Sequence, residues 1–274
     1  MLNKDELSRY SRNILLSEIG RTGQERLGSS QVIVVGAGGL GSPLLYYLVA
    51  AGVGHIRCIE NDTISLTNLQ RQILYTSDDI GKLKSKVAES RLNQLNPNID
   101  LQFDSRRLTP QNGPQILNRA DLVLDGSDNF ATRFLVNDLC QINRLPLISG
   151  GILRFYGMLL GVLPQKTPCY RCVFEHQPEP GSVPSCSAAG VIGAIAGTIG
   201  SLMAAEAIKY LVGMTPNIMG NMVRIDLKTM EFRMTELPKN PNCSYCNEPM
   251  SFNPNDVDYF ENQCATPFSI DNLS

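Results

Sequence analysis

The chain has 274 residues, of which 43% are hydrophobic and 18% are charged, and its formal net charge at pH 7 is −2. This length is sufficient for one large α/β domain or two smaller ones, with a continuous core. The slightly negative charge excludes a basic surface that would attract nucleic acid non-specifically, so we expect no nucleic-acid partner.

The first residues, MLNKDELSRYSRN, are polar and lack the apolar region of a signal peptide. The uncharged stretch 188–205 contains four glycines at spacings of 3, 4 and 3, which favours a buried helix over a membrane span. Eight cysteines without a secretion signal indicate metal binding or thiol chemistry rather than disulfides. We therefore expect a protein of the reducing cytoplasm with no membrane partner.

Residues 1–30 are predicted to form one or two amphipathic helices, with Tyr10 and Leu15 on the apolar face and Arg12 outside it. The next segment, QVIVV at 31–35, is a continuous apolar run typical of a parallel strand that is buried on both faces.

The following segments alternate between helix and strand. After the first strand we predict a helix to about residue 51, a strand at 55–60, a helix at 81–97, a strand at 99–103, a helix at 110–119, a strand running into a loop at 121–129, a helix at 130–144 and a strand at 146–150. This alternation predicts an α/β fold with a doubly wound, Rossmann-like and mostly parallel sheet. Further strands at 157–163, 218–227 and 230–237 are expected to extend it as antiparallel C-terminal strands, with a long helix ending near Leu211.

The loop after the first strand, GAGGLG, matches the G-x-G-x-x-G pattern between a buried strand and a helix. Its glycines are Gly36, Gly38, Gly39 and Gly41. They allow a tight turn and close approach of phosphate to the N–H groups at the helix N-terminus, while Glu60 and Asp62 are placed to accept hydrogen bonds from a ribose. Alone, this motif favours an NAD-dependent oxidoreductase.

Four residues after the second strand change that interpretation: Asn68, Arg71, Lys84 and Asp128. They fall at the carboxyl edge of the predicted sheet, where open α/β folds bind ligands. Cations there would stabilise departing phosphates, and an aspartate could hold Mg²⁺. The alternative is that Arg71 and Lys84 are solvated surface charges and that Asp128 caps the following helix.

Two C-x-x-C pairs, Cys169 with Cys172 and Cys243 with Cys246, have the spacing of a tetrahedral zinc site. A single pair could instead be a redox motif. Four protein thiolates leave zinc no open position, so we expect a structural zinc that staples the chain.

The order of these motifs, GAGGLG, SLTNLQRQ, GKLK, DGSDN, CYRC and CSYC, resembles that of the ThiF/MoeB/HesA family, relatives of ubiquitin-activating enzymes. The resemblance also includes RYSRN and CSAAG, and it covers about residues 5–247. It implies a single adenylation domain over residues 1–246, with N-terminal helices at 1–30, a nucleotide-binding core at 31–150 and a carrier-binding and zinc part at 151–246. Residues 247–274 are acidic and are expected to be a flexible tail.

The resemblance implies a role for each matching residue. Arg12 matches an arginine that reaches the partner subunit's ATP site, which implies a homodimer. Asn68, Arg71 and Lys84 match ATP-phosphate residues, and Asp128 matches the metal-site aspartate. Glu60 departs from the family pattern, where Asp is usual, which shifts the ribose acceptors outward by one methylene.

Cys186 stands before a predicted helix, whose N-terminus favours a thiolate. It matches the cysteine that forms a covalent link to the carrier protein in some ThiF-type members. Whether this cysteine is catalytic here stays open.

The expected activity is ATP- and Mg²⁺-dependent adenylation of the C-terminal Gly-Gly carboxylate of a ubiquitin-like sulfur-carrier protein, ThiS-like or MoaD-like, which prepares a thiocarboxylate for thiamine or molybdopterin biosynthesis. Since residues 247–274 are too few for an appended rhodanese domain, we expect the sulfur to come from a separate persulfide donor protein. The alternatives are an NAD-dependent oxidoreductase and a family member that adenylates a modified tRNA base.

Overall fold

The computed structural model describes residues 2–179, 182, 189–249 and 251–260. Their strands are β1 Gln31–Val35, β2 His55–Ile59, β3 Asp100–Asp104, β4 Leu122–Asp125, β5 Leu147–Leu153, β6 Tyr156–Val162, β7 Asn221–Asp226 and β8 Glu231–Glu236. They form one sheet with the spatial order β3-β2-β1-β4-β5-β6-β7-β8.

The sheet is parallel from β3 to β5 and antiparallel from β5 to β8. The strand order reverses beside β1, since the chain moves outward to β2 and β3 and then returns to β4 on the other side. Such a reversal creates a crevice at the carboxyl ends of the strands. The predicted doubly wound sheet with antiparallel C-terminal strands is confirmed.

Helices cover both faces of this sheet. They are α1 Lys4–Arg9, α2 Ser11–Ile14, α3 Gly20–Ser29, α4 Gly41–Ala51, α5 Lys84–Leu95, α6 Gly113–Ile116, α7 Phe130–Asn143, α8 Tyr170–Val173, α9 Gly193–Leu211 and α10 Ser244–Asn247. Helices α4, α5 and α9 share one hydrophobic core, and α6 and α7 belong to a second core on the opposite face.

Strand β1 explains why its sequence is a continuous apolar run. Val32 and Val34 lie in the core with α4, whereas Ile33 and Val35 lie in the core with α7. Because successive side chains of a strand point to opposite faces, a strand covered on both sides needs an apolar residue at every position.

The N-terminal segment forms three short helices rather than one or two. Tyr10 is buried as predicted, but Leu15 is 73% exposed, so its predicted place on the apolar face is wrong. Tyr10 packs on Gly52, where a Cβ atom would lie 2.5 Å from the tyrosine ring. Since Gly52 caps the C-terminal end of α4, helices α1 and α2 lie at the end of α4 remote from its first residue, Gly41.

The long helix predicted to end near Leu211 is confirmed as α9. Two of its glycines permit close packing. A Cβ at Gly200 would lie 2.4 Å from the Leu40 carbonyl oxygen, and one at Gly193 would lie 2.2 Å from that of Gln70. Within the described ranges, no helix is both long enough and apolar enough to cross a membrane.

Candidate nucleotide and metal sites

The glycine loop follows β1 and leads into α4, as the sequence predicts. Gly36 has a φ of 92°, which favours glycine. At Gly41 a Cβ atom would lie only 2.0 Å from the Gly36 carbonyl oxygen, so the turn closes only without a side chain. The result is a tight loop at the N-terminus of an 11-residue helix, a geometry suited to phosphate.

The peptide groups around Ala37 are held from both sides. Glu60 Oε2 accepts a hydrogen bond from the Ala37 N–H at 2.8 Å, and Tyr75 Oη donates to the Ala37 carbonyl at 2.9 Å. The second carboxylate oxygen, Glu60 Oε1, accepts the Asp62 N–H at 2.9 Å. Glu60, predicted as a ribose acceptor, thus also ties the glycine loop to the end of β2.

Lys84 and Asp62 form an ion pair beside this loop. Lys84 Nζ lies 2.9 Å from Asp62 Oδ2, and the lysine side chain is 5% exposed whereas the aspartate is 66% exposed. The alternative of a solvated surface lysine is therefore wrong, because Lys84 is buried at the sheet edge. Its charge is partly neutralised by a carboxylate that itself faces solvent.

Arg71 and Asn68 belong to the segment between β2 and α5. The Arg71 side chain lies against the glycine loop, since a Cβ at Gly39 would be 3.5 Å from Arg71 Cδ. Its guanidinium donates to the Thr67 carbonyl at 3.0 Å. Asn68 Oδ1 accepts the Ser65 N–H at 3.1 Å and thereby stabilises the turn that carries Arg71.

Asp128 is exposed in the loop after β4. That loop touches the glycine loop, because a Cβ at Gly36 would be 3.1 Å from the Gly126 carbonyl oxygen. The cap of α7 is Asn129, whose Oδ1 accepts the Thr132 N–H at 2.8 Å. The alternative of Asp128 as the helix cap is therefore wrong, and its carboxylate remains directed to solvent at the same edge.

A cavity of about 190 Å³ lies between these elements. Gly36, Glu60 and Asp62 line it from one side, and Ser127 and Thr132 from the other. Two further residues contact the glycine loop and were not predicted from the sequence. They are Tyr75, described above, and Gln72, whose Nε2 lies 3.5 Å from where a Gly38 Cβ would be. Gln72 directly follows Arg71 in SLTNLQRQ, and that adjacency was the available signal.

Arg12 lies away from the glycine loop of its own chain. It is exposed on α2, which packs near the C-terminal end of α4 through Tyr10. Helix α4 has 11 residues, and a helix of this length spans about 16 Å. Arg12 therefore lies at the opposite end of α4 from the glycine loop.

The four predicted zinc ligands converge. Their sulfur atoms all lie within 4.8 Å of one another, with Sγ–Sγ distances of 3.9 Å between Cys169 and Cys172, 3.7 Å between Cys169 and Cys243, and 3.5 Å between Cys172 and Cys246. Zn–S bonds of about 2.3 Å in a tetrahedron place sulfurs about 3.8 Å apart. The cluster has the donors and dimensions to hold zinc.

Hydrogen bonds among the four thiols shift their pKa values in different directions. The contact with Cys169 lowers the pKa of Cys172 to about 2 and that of Cys243 to about 6, whereas sharing with its neighbours raises the pKa of Cys169 well above its usual value. A lowered pKa favours the thiolate, which is the form that binds metal.

A buried ion pair supports this cluster. Arg171, between the first two cysteines, donates from Nε and Nη2 to the two oxygens of Asp138 on α7, both at 2.8 Å. Tyr245, between the second two cysteines, lies under the same guanidinium at 3.9 Å. This pairing could not be predicted from the sequence, because the partners are 33 residues apart. Cys186 lies outside the described residues.

Known proteins of similar sequence and fold agree with the predicted family. The ThiF family model matches residues 10–245. A sulfur carrier protein adenylyltransferase from Thermus thermophilus is 46% identical over 251 residues, covering 89% of this chain and 92% of that protein. The SAMP-activating enzyme E1 of Haloferax volcanii is 40% identical over 264 residues, covering 96% and 97%. A crystal structure of E. coli MccB with MccA-N7isoASN superposes with a TM-score of 0.77 at 25% identity, covering 87% of this chain and 74% of that chain. The chain therefore belongs to the ThiF family, as its motifs predict.

Proposed function

We propose that this protein uses ATP to adenylate the C-terminal Gly-Gly carboxylate of a ubiquitin-like sulfur-carrier protein. The observation that carries the proposal is that Arg71 and the loop before Asp128 lie against the glycine loop, while Asp62, the partner of Lys84, lines the same cavity as Gly36. The names of the relatives from Thermus thermophilus and Haloferax volcanii support the same activity.

The reaction needs no general base. A C-terminal carboxylate has a pKa of about 3.5 and is ionised at neutral pH. One carboxylate oxygen bonds to the α-phosphorus of ATP, the bond from that phosphorus to the bridging oxygen of the β-phosphate breaks, and pyrophosphate leaves with the electron pair. Arg71 and Lys84 stabilise the charge on the departing phosphates, and the N–H groups at the start of α4 hold the nucleotide.

Asp128 would hold Mg²⁺ together with phosphate oxygens. Its exposed carboxylate fits this role, since Mg²⁺ binds few protein carboxylates and otherwise keeps water or substrate oxygens. The metal would neutralise phosphate charge. Lys84 is paired with Asp62, so we infer that Lys84 exchanges this carboxylate for phosphate when ATP binds.

A larger cavity of about 650 Å³ beside β5–β8 is the proposed docking place for the carrier tail. Its walls combine apolar side chains, such as Met158 and Phe174, with Arg224 and Arg233. It reaches the Asp128 loop through Arg133, which lines the cavity and donates to the Ser127 carbonyl at 2.9 Å. An extended peptide entering here would point its carboxylate towards the phosphates.

The direct test is carrier-dependent exchange of labelled pyrophosphate into ATP, measured with ThiS-like and MoaD-like carriers from the same genome. We expect exchange with one carrier and none with that carrier lacking its final glycine. The carrier that supports exchange assigns the thiamine or molybdopterin pathway. Nucleotide-dependent NADH absorbance change without any exchange would instead favour the oxidoreductase alternative.

The proposed unit is a homodimer in which Arg12 serves the partner's site. The remote position of Arg12 on its own chain supports this, as does the exposure of Leu15 and Leu16 in the following turn. Mixing inactive Arg12→Ala and Asp128→Ala chains should restore about a quarter of wild-type exchange, because half of the dimers are mixed and each contains one intact site. Absence of recovery after confirmed subunit exchange would exclude this arrangement.

The remaining parts of the proposal concern zinc, sulfur and chain organisation. The cysteine cluster would hold a structural zinc within a single adenylation domain of residues 1–246, and the free cysteines of the described residues agree with a cytoplasmic location. The outer sulfur of a persulfide donor protein would displace AMP from the acyl-adenylate, directly or after transfer to Cys186, and a thiol reductant would release the thiocarboxylate from the resulting acyl disulfide. Cys186→Ala should retain exchange and lose thiocarboxylate formation if the second route applies.

A further inference from the structure

Residues 251–260, which fall within the predicted flexible tail, are packed against the domain. We name them the C-terminal strap. Near its start, Phe252 packs on Tyr245 with ring centroids 4.7 Å apart. Near its end, Tyr259 Oη donates to Asp138 Oδ2 at 2.8 Å, and the Phe260 carbonyl accepts from Gln177 Nε2 at 3.2 Å. The strap is therefore fixed at both ends.

The anchor of Tyr259 is part of the cysteine-cluster framework. Asp138 is fully buried and already accepts two hydrogen bonds from Arg171, which is itself almost fully buried. A buried carboxylate needs its remaining lone pairs satisfied, and the tyrosine hydroxyl supplies one of these bonds. The position of the Tyr259 ring is thus set by the same ion pair that holds the first C-x-x-C segment on α7.

The Tyr259 ring lines a cavity of about 440 Å³. Arg107, Leu108 and Thr132 also line this cavity, and the same three residues line the 190 Å³ cavity next to the glycine loop. The two cavities therefore share a wall made by the loop after β3 and the first turn of α7. Tyr259 stands on the far side of that shared wall.

The order of the strands indicates which part of a nucleotide would meet this wall. The phosphates belong at Gly36–Gly41, and Glu60 at the end of β2 is the proposed ribose acceptor. Arg107 and Leu108 follow β3, one strand further from the glycine loop. The base of a bound nucleotide would therefore lie towards the wall that the two cavities share.

We propose that the C-terminal strap is a positioning device for nucleotide binding: Tyr259, held by Asp138, forms the far wall of the cavity of about 440 Å³, limits how far the loop at 107–110 can move from α7 and so shapes the base end of the nucleotide cavity. Tyr259 acts through that loop and does not contact the reacting atoms. The inference rests on the proposed binding of ATP in this cavity.

The test compares ATP with inorganic triphosphate, which lacks a base, by calorimetry on the full-length protein. Tyr259→Ala should weaken ATP binding by about tenfold, because it removes the far wall that limits movement of the loop at 107–110, and should leave triphosphate binding unchanged. Tyr259→Phe should show a smaller change of the same kind. Phe252→Ala, at the other anchor, should also weaken ATP binding alone. In pyrophosphate exchange, KM for ATP should rise while kcat stays the same.

Tyr47→Ala is the matched control, because Tyr47 is an exposed tyrosine on α4 away from the strap. Equal losses for ATP and triphosphate would indicate general destabilisation and overturn the inference, as would unchanged ATP binding in a folded Tyr259→Ala protein. If that variant does not fold, an unchanged ratio of the two affinities in Tyr259→Phe overturns it. Failure of the wild-type protein to bind ATP would overturn the proposed function itself.

Discussion

The proposed phosphate edge consists of the glycine loop with Asp62, Lys84 and Asp128. Acidic and basic side chains serve opposite purposes at this edge and at the cysteine cluster. At the phosphate edge, Asp62 is 66% exposed, and Asp128 points to solvent. At the cysteine cluster, Asp138 and Arg171 are buried and satisfy one another. The first region therefore keeps charged groups available for a ligand, whereas in the second region the charged groups stabilise the fold.

The strongest test of this comparison is Asp128→Ala. The variant should lose pyrophosphate exchange by about 100-fold or more, because it removes an electrostatic contribution to the transition state. Its melting temperature should stay at the wild-type value, since exposed side chains contribute little to stability. Asp78→Ala is the control, as Asp78 is an exposed aspartate elsewhere. Full exchange by Asp128→Ala would place the phosphate chemistry on other residues.

Cys243→Ser should give the reverse pattern. Loss of one ligand should release zinc and lower the melting temperature by about 10 °C, because structural zinc contributes several kcal/mol to folding. Metal analysis should find about one zinc per chain in the wild-type protein. Cys58→Ala, at a buried cysteine outside the cluster, should keep its metal. A wild-type protein that is pure, active and free of zinc would contradict the structural role.

Tyr75→Phe sharpens the comparison, because Tyr75 is a buried residue that serves the phosphate edge. Removing its hydroxyl leaves the Ala37 carbonyl without this partner, which should cost about 1–2 kcal/mol of stability. KM for ATP should rise several-fold, since the glycine loop is less constrained. Tyr47→Phe, at an exposed tyrosine, is the control and should change neither quantity. A lower melting temperature with unchanged KM would limit Tyr75 to a structural role.

The smallest expected effect concerns Asp104, at the end of β3. Hydrogen bonds from Arg106 hold the pKa of Asp104 below its usual range. As pH falls, Asp104 therefore becomes protonated in the unfolded chain before it does so in the folded protein. Its stabilising contribution is present above about pH 4 and is lost at lower pH. Thermal melts between neutral and acidic pH should have a shallower acid limb for Asp104→Asn than for the wild-type protein. Identical limbs would remove Asp104 from the acid sensitivity.

The sequence predicted what depends on short-range pattern. Continuous apolar runs identified β1 and its neighbours, the glycine spacing identified the tight loop between β1 and α4, and two C-x-x-C pairs identified the cysteine cluster. These signals are local because each reflects the periodicity of one element or the closure of one turn.

Contacts between distant segments could not be predicted in this way. The bond from Tyr259 to Asp138 spans 121 residues, and the Glu60 bond to Ala37 depends on how β1 and β2 pair. Leu15 was predicted on the apolar face because the periodicity assumes a helix that continues past it. Helix α2 in fact ends at Ile14. Only the tertiary arrangement determines which side chains meet.

The double restraint on Ala37 has a consequence for turnover. Its N–H is fixed by Glu60 and its carbonyl by Tyr75 in the protein alone, so the glycine loop is preorganised before any nucleotide arrives. The entropy of ordering the loop is lost once, when the chain folds, rather than in each catalytic cycle. A loop ordered in this way would release pyrophosphate and accept the next nucleotide without becoming disordered in between.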